Sequence, residues 1–192
     1  MPTSFVVRII FWTWLLGAVA AGQSLLLHRL PPLALPGILL GLSALLVLTY
    51  RAIAPFRAWV DAIPLRALVL LHVTRFAGFY FLVLYQRGQL PPAFAVPAGL
   101  GDIAVATFAL VVVFFPFADA TRARALYLWN VIGLVDLLLV VASAARISLA
   151  APRDLLPLTQ LPLSLLPTFL LPLLIASHLA IFARLARERE TS

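Results

Sequence analysis

Six stretches of roughly twenty mostly apolar residues, closed off by proline and glycine, narrow most sharply what this chain can become. A helix rises about 1.5 Å per residue and the hydrocarbon core of a bilayer is about 30 Å thick, so about 20 apolar residues make one crossing. The stretches are 5–27, 36–54, 67–86, 94–115, 125–145 and 159–183. Pro31 and Pro32, Pro55, Gly88 with Pro91 and Pro92, Pro116, and Pro152 stand in the breaks, where a missing N–H or an unrestricted φ ends a helix. The chain therefore reads as all-α: a polytopic transmembrane helical bundle of about six spans forming one transmembrane domain over 1–192. The connections are short, so neighbouring spans run antiparallel.

The charge balance agrees with that reading. Only 11% of residues are charged and 64% are hydrophobic, against about 25% and 45–50% in soluble domains. The net charge of +7 does not point to nucleic acid, because the arginines fall singly in the connections and build no basic stripe. With no cysteine there is no disulfide framework, thiolate nucleophile or cysteine metal site.

Orientation follows from the arginines. Arg8, Arg51, Arg57, Arg66, Arg122, Arg124, Arg184, Arg187 and Arg189 fall on one side, and Arg29, Arg87, Arg146 and Arg153 on the other. The richer side belongs in the cytoplasm, which puts both termini there. Trp59 and Tyr85 suit the interfacial belts. Arg8, the apolar run after it and Ala18-Val19-Ala20 also resemble a secretory signal with its cleavage site. The run continues through Leu25, Leu26 and Leu27, longer than a signal core, so an uncleaved first span is expected.

Three charges lie where charge is costly. Arg75, Asp102 and Asp136 sit near the middles of the third, fourth and fifth spans, where each costs about 2.5–3.5 kcal/mol unless it faces the bundle interior and finds a partner. Counting along each span puts all three about 15–18 Å deep, so they can meet in one layer. His72, Asn130 and His178 form a second layer about 7–10 Å deep. His72 and Arg75 are three apart and share a helix face. Ala95, Ala98, Asp102, Ala106 and Ala109 make a small-residue stripe that lets a neighbouring backbone approach the carboxylate closely, and Trp129, Gly133 and Asp136 lie on one stripe of the fifth span with Asn130 beside it. Two acids for one base leave one negative charge to bind a proton, a cation or a substrate group. The alternative is a purely structural Arg–Asp clasp.

The sixth stretch carries Pro157, Pro162, Pro167 and Pro172 at intervals of five, so a broken helix with freed carbonyls is expected, as at transporter sites. Gln160, Ser164, Thr168 and His178 fall near one face of it. His72 and His178 could serve as haem ligands, but a non-haem metal needs a third donor such as Asp102, and no tight ligand motif is present. No metal site is therefore expected, and the sequence specifies no cofactor. His28 reads as an external loop residue.

Three segments carry a resemblance: RFAGFYFLVLYQRGQLPPAFAVPAGLGDIAVA, WNVIGLVDLLL and LPTFLLPLLIASHLAIFARL. Over about residues 72–184 the chain resembles a group of bacterial multipass membrane proteins with no assigned function. The first two spans stay outside it. The resemblance implies a bacterial inner membrane location and carries over Arg75, Gly78, Pro97, Gly101, Asp102, Asn130, Gly133, Asp136, Pro167, Pro172 and His178. Gly78, Gly101 and Gly133 are its close-packing positions. The expected function is a small multipass carrier or ligand-binding protein whose polar centre takes a small molecule or ion. A membrane-embedded enzyme acting on a lipid or isoprenoid, and a haem-binding electron-transfer protein, are the alternatives. The lipid bilayer is the expected partner, and homo-oligomerisation stays open.

Overall fold

The computed structural model describes residues 2–24 and 26–190. Among them there is no strand. The α-helices are α1 (Thr3–Gln23), α2 (Ala34–Ala52), α3 (Ala54–Asp61), α4 (Leu65–Leu70), α5 (Gly78–Gln86), α6 (Pro92–Phe114), α7 (Asp119–Ala150) and α8 (Leu171–Glu190). Six helical segments among the described residues are long and apolar enough to cross a membrane: Thr3–Gln23, Ala34–Ala52, Leu65–Gln86, Pro92–Phe114, Thr121–Ala150 and Leu166–Arg187.

The expected spans need four corrections. The first stops at Gln23 rather than 27, since Ser24 leaves the helix with ψ 148° and a separate 3₁₀ turn covers Leu27–Arg29. The third is composite: a 3₁₀ segment, Leu71–Ala77, joins α4 to α5. The fifth is longer than 125–145, reaching Ala150. The sixth begins at Leu166, because a 3₁₀ segment (Pro152–Thr159) and a run of turns precede it. Pro162 therefore lies in a turn and breaks no helix.

The chain divides into two compact units, Met1–Ala62 with Ala144–Ala176 and Ile63–Ser143 with Ser177–Ser192.

In the first unit a π-helical turn, Leu166–Leu170, packs on α1 and α2. Phe169 carries the contact, with its ring 5.0 Å from Phe11 and 4.9 Å from Trp14 in edge-on geometry. Pro172 has no N–H, so the Thr168 carbonyl that an α-helix would pair with it is left over. Trp14 Nε1 donates to that oxygen at 2.8 Å. Gly22 lets the end of α1 approach the turns at 161–164, because a Cβ there would stand 2.9 Å from Leu161 Cδ2 and closer still to Ser164 Oγ. Tyr50 donates to Asp61 Oδ1 at 2.8 Å and ties α3 back to α2.

In the second unit α5 and α6 form a hairpin. Gly88 takes φ +68°, the left-handed value that closes α5, while Gln89 N–H reaches Leu84 O at 2.8 Å and Gly88 N–H reaches Tyr85 O at 2.9 Å. Pro91 and Pro92 then start α6, where the absent N–H costs nothing. The 3₁₀ segment that leads into α5 has about three residues per turn, so every third side chain falls on one face. His72, Arg75, Gly78, Phe81 and Leu84 are all buried at that interval. This stripe zips against α6 with partners mirrored about the turn: Phe81 with Phe94 at 5.6 Å between rings, then Gly78 with Gly99, then Arg75 with Asp102. A Cβ on Gly78 would stand 2.5 Å from the Gly99 carbonyl oxygen, so the two backbones touch only because both residues lack a side chain.

Candidate functional site

That close crossing delivers Arg75 to the carboxylate one turn along. Arg75 Nε donates to Asp102 Oδ1 at 2.7 Å, Nη1 donates to the Gly133 carbonyl at 3.0 Å, and Nη2 donates to Asp136 Oδ2. All three guanidinium nitrogens are engaged, and the fork is fixed at three points on two helices. Accessibility is graded across the triad: the side chains of Arg75, Asp102 and Asp136 are 1%, 12% and 20% exposed. The cation is sealed in, and the carboxylates are where the triad opens outward. Gly101 makes room for Asp136, since a Cβ there would lie 2.9 Å from Asp136 Cγ and nearer still to Oδ1.

The second polar layer also assembles. His72, Asn130 and His178 are each 0% exposed. Asn130 Nδ2 donates to the His178 carbonyl at 3.0 Å, which orients the amide so that its Oδ1 accepts from His178 Nδ1 at 2.7 Å. The His178 proton is thereby assigned to Nδ1, and Nε2 is a bare lone pair with no partner among the described residues. His72 Nε2 meets Ser177 Oγ at 2.9 Å, while its Nδ1 has no partner among them. The two imidazole centroids stand 4.1 Å apart. A haem iron held between two imidazoles on opposite sides separates their nitrogens alone by about 4 Å, at about 2 Å per bond. These rings therefore leave no gap for a haem between them. No group of three His, Cys, Asp or Glu side chains able to hold a metal ion occurs among the described residues.

Gly133 joins the layers. Its carbonyl takes Arg75 Nη1, and its bare Cα faces the His178 ring, so that a Cβ would stand 2.7 Å from Cε1 and 3.0 Å from Nε2. Trp129, one turn back on α7, donates to the Val105 carbonyl at 3.0 Å and packs edge-on against His72 at 5.0 Å.

Every residue of the two anticipated layers is thus brought together in the second unit. Gly78, Gly101 and Gly133 all sit at close approaches. Pro167 lies in the π turn and Pro172 just past it; both belong to the first unit, not to the polar layers. His28 is not a free loop residue: its Nδ1 pairs with Thr159 Oγ1, and Gln160 Nε2 lies 3.2 Å from its Nε2. Sequence reasoning missed Ser177, the Gly133 carbonyl, and the indoles of Trp14 and Trp129. Ser177 carried one signal, its place beside His178 at the depth of the second layer. A backbone carbonyl carries none.

Among the described residues, fold and site together define an all-helical protein with six helices long and apolar enough to cross a membrane and an Arg–Asp–Asp triad whose cation is buried. The chain belongs to the family described as Domain of unknown function (DUF8737), which matches residues 32–186. The match takes in α2, beyond the stretch from residue 72 on which the sequence resemblance rests. No curated protein and no solved structure matches the chain.

Proposed function

We propose that this protein is a small multipass membrane carrier in which the Asp102–Arg75–Asp136 triad exchanges a proton. The observation that carries the reading is one sealed guanidinium divided between two carboxylates on different helices. That arrangement holds one positive and two negative charges. A buried site with a surplus charge in low dielectric must take up a counter-charge or a proton. Arg75, fixed at three points, acts as the permanent counterion, and the more open Asp136 exchanges.

The distribution of polarity supports a bilayer as the solvent. His72, Asn130 and His178 are fully buried, whereas Leu16, Leu139 and Phe108 are 67%, 65% and 61% exposed. Water-soluble proteins arrange these residue types the other way. A cell membrane, bacterial and inner, with both termini cytoplasmic, accords with the resemblance and the arginine distribution.

The test is reconstitution into liposomes enclosing a pH-sensitive dye. Under an imposed pH gradient the protein carries protons faster than protein-free vesicles, and Asp136→Asn lowers that flux at least tenfold while eluting as wild type does on gel filtration. Flux equal to that of protein-free vesicles overturns the reading.

A further inference from the structure

We infer that the His72–His178 pair is a second seat for the proton that the Arg–Asp triad exchanges. The inference rests on the carrier reading and concerns side chains that reading leaves unused.

Two fully buried imidazoles each present one ring nitrogen without a partner among the described residues. Burying an unpaired polar atom is costly, and a core that retains two of them side by side calls for a reason. On His178 the free nitrogen is the lone pair at Nε2, because Asn130 fixes the proton on Nδ1.

Charge arithmetic supplies the reason. The triad, with Arg75 positive and both acids ionised, has one surplus negative charge, and one proton makes the core neutral. That proton can sit on Asp136, or it can sit on an imidazole while both carboxylates stay ionised around Arg75. The core is neutral in both arrangements. In the transfer the Asp136 carboxyl O–H breaks, the His178 Nε2–H forms, each electron pair stays on its atom, and no other reactant is needed. The charged and titratable groups bearing on His178 are His72 and Arg75 from the 3₁₀ segment and, through Arg75, Asp102 from α6 and Asp136 from α7.

Gly133 links the two seats. His178 Nε2 lies 3.0 Å from where a residue-133 Cβ would be, and Asp136 stands one turn on along the same face of α7. Gly133 is the positioning residue: a side chain there would push the ring away, and its carbonyl accepts from Arg75 Nη1.

The test has two arms. In liposomes, His178→Gln and His72→Gln are expected to reduce proton flux at least tenfold at equal incorporation. Wild-type flux in both variants overturns the inference and leaves the carrier reading standing. In the second arm the full-length protein, labelled with ¹⁵N at histidine, is titrated by solid-state NMR. An imidazolium signal is expected in the wild type and at least tenfold less of it in Asp136→Asn, whose triad is already neutral. Imidazoles that stay neutral throughout, or an imidazolium signal that Asp136→Asn leaves unchanged, overturn the inference. The spectroscopic arm decides even if the glutamine variants fail to fold, or if the wild type carries no flux.

Discussion

Trp14 donates its indole N–H to the Thr168 carbonyl at 2.8 Å, the acceptor that Pro172 leaves without a helical donor. Proline breaks the backbone ladder in one helix, and a tryptophan from another repairs it. Trp14→Phe keeps an aromatic ring against Phe169 but leaves that carbonyl unpaired. It should destabilise the protein by about 1–3 kcal/mol, the cost of a buried polar group without a partner. Thermal melting in detergent, compared with Trp12→Phe at a 60% exposed position that makes no such bond, checks this.

The glycines divide into crowded and open positions. Gly78→Ala would put a methyl 2.5 Å from the Gly99 carbonyl and 2.8 Å from Asp102 Cβ, whereas a Cβ on Gly41 meets nothing within 4 Å. Overpacking of that kind costs about 1–3 kcal/mol. Gly41→Ala should instead be neutral or stabilising, by up to about 1 kcal/mol from helix propensity. Equal melting temperatures for the two variants would show that the crossing of the 3₁₀ stripe and α6 is looser than its contact distances imply.

Removing the cation should be worse than removing the whole triad. Arg75→Ala leaves two buried carboxylates with no counter-charge, an expected loss of about 3–5 kcal/mol. The triple variant Arg75→Ala, Asp102→Ala, Asp136→Ala should recover much of it, because no unpaired charge remains. Melting of the single and triple variants in detergent decides the matter. A triple variant less stable than Arg75→Ala alone would mean that the pairs themselves hold the helices in place.

The polar layers can be anticipated because a helix rises by a fixed amount per residue. Depth counting along the apolar stretches puts Arg75, Asp102 and Asp136 at one level and His72, Asn130 and His178 at another, and these are the groups that meet. The changes of helical hydrogen-bond register are not legible in the same way. Whether Leu71–Ala77 winds as a 3₁₀ segment or Leu166–Leu170 as a π turn depends on packing against α6, α1 and α2, and the local sequence offers only Pro167 and Pro172 as a signal for the second. The interval of five between prolines suggests one broken helix from 159 onward, yet Pro157 and Pro162 lie before the helix begins, and only Pro167 and Pro172 bear on it. His28 looks solvent-facing in the sequence because its partners, Thr159 and Gln160, are more than a hundred residues away.

Both ring nitrogens of His28 face those partners, and Thr159 Oγ1 donates on to the Leu156 carbonyl at 2.6 Å. His28→Ala should cost about 1–2 kcal/mol, near the net value of one or two hydrogen bonds. An exposed loop histidine would cost nothing measurable on melting.

The proposed carrier works only if a surplus carboxylate beside Arg75 exchanges a proton. The decisive measurement is proton flux into dye-loaded liposomes under an imposed pH gradient, compared between the wild type and Asp136→Asn at equal incorporation. Wild-type flux well above that of protein-free vesicles is expected, with at least a tenfold loss in the variant. Equal flux in the two proteins would contradict the proposal.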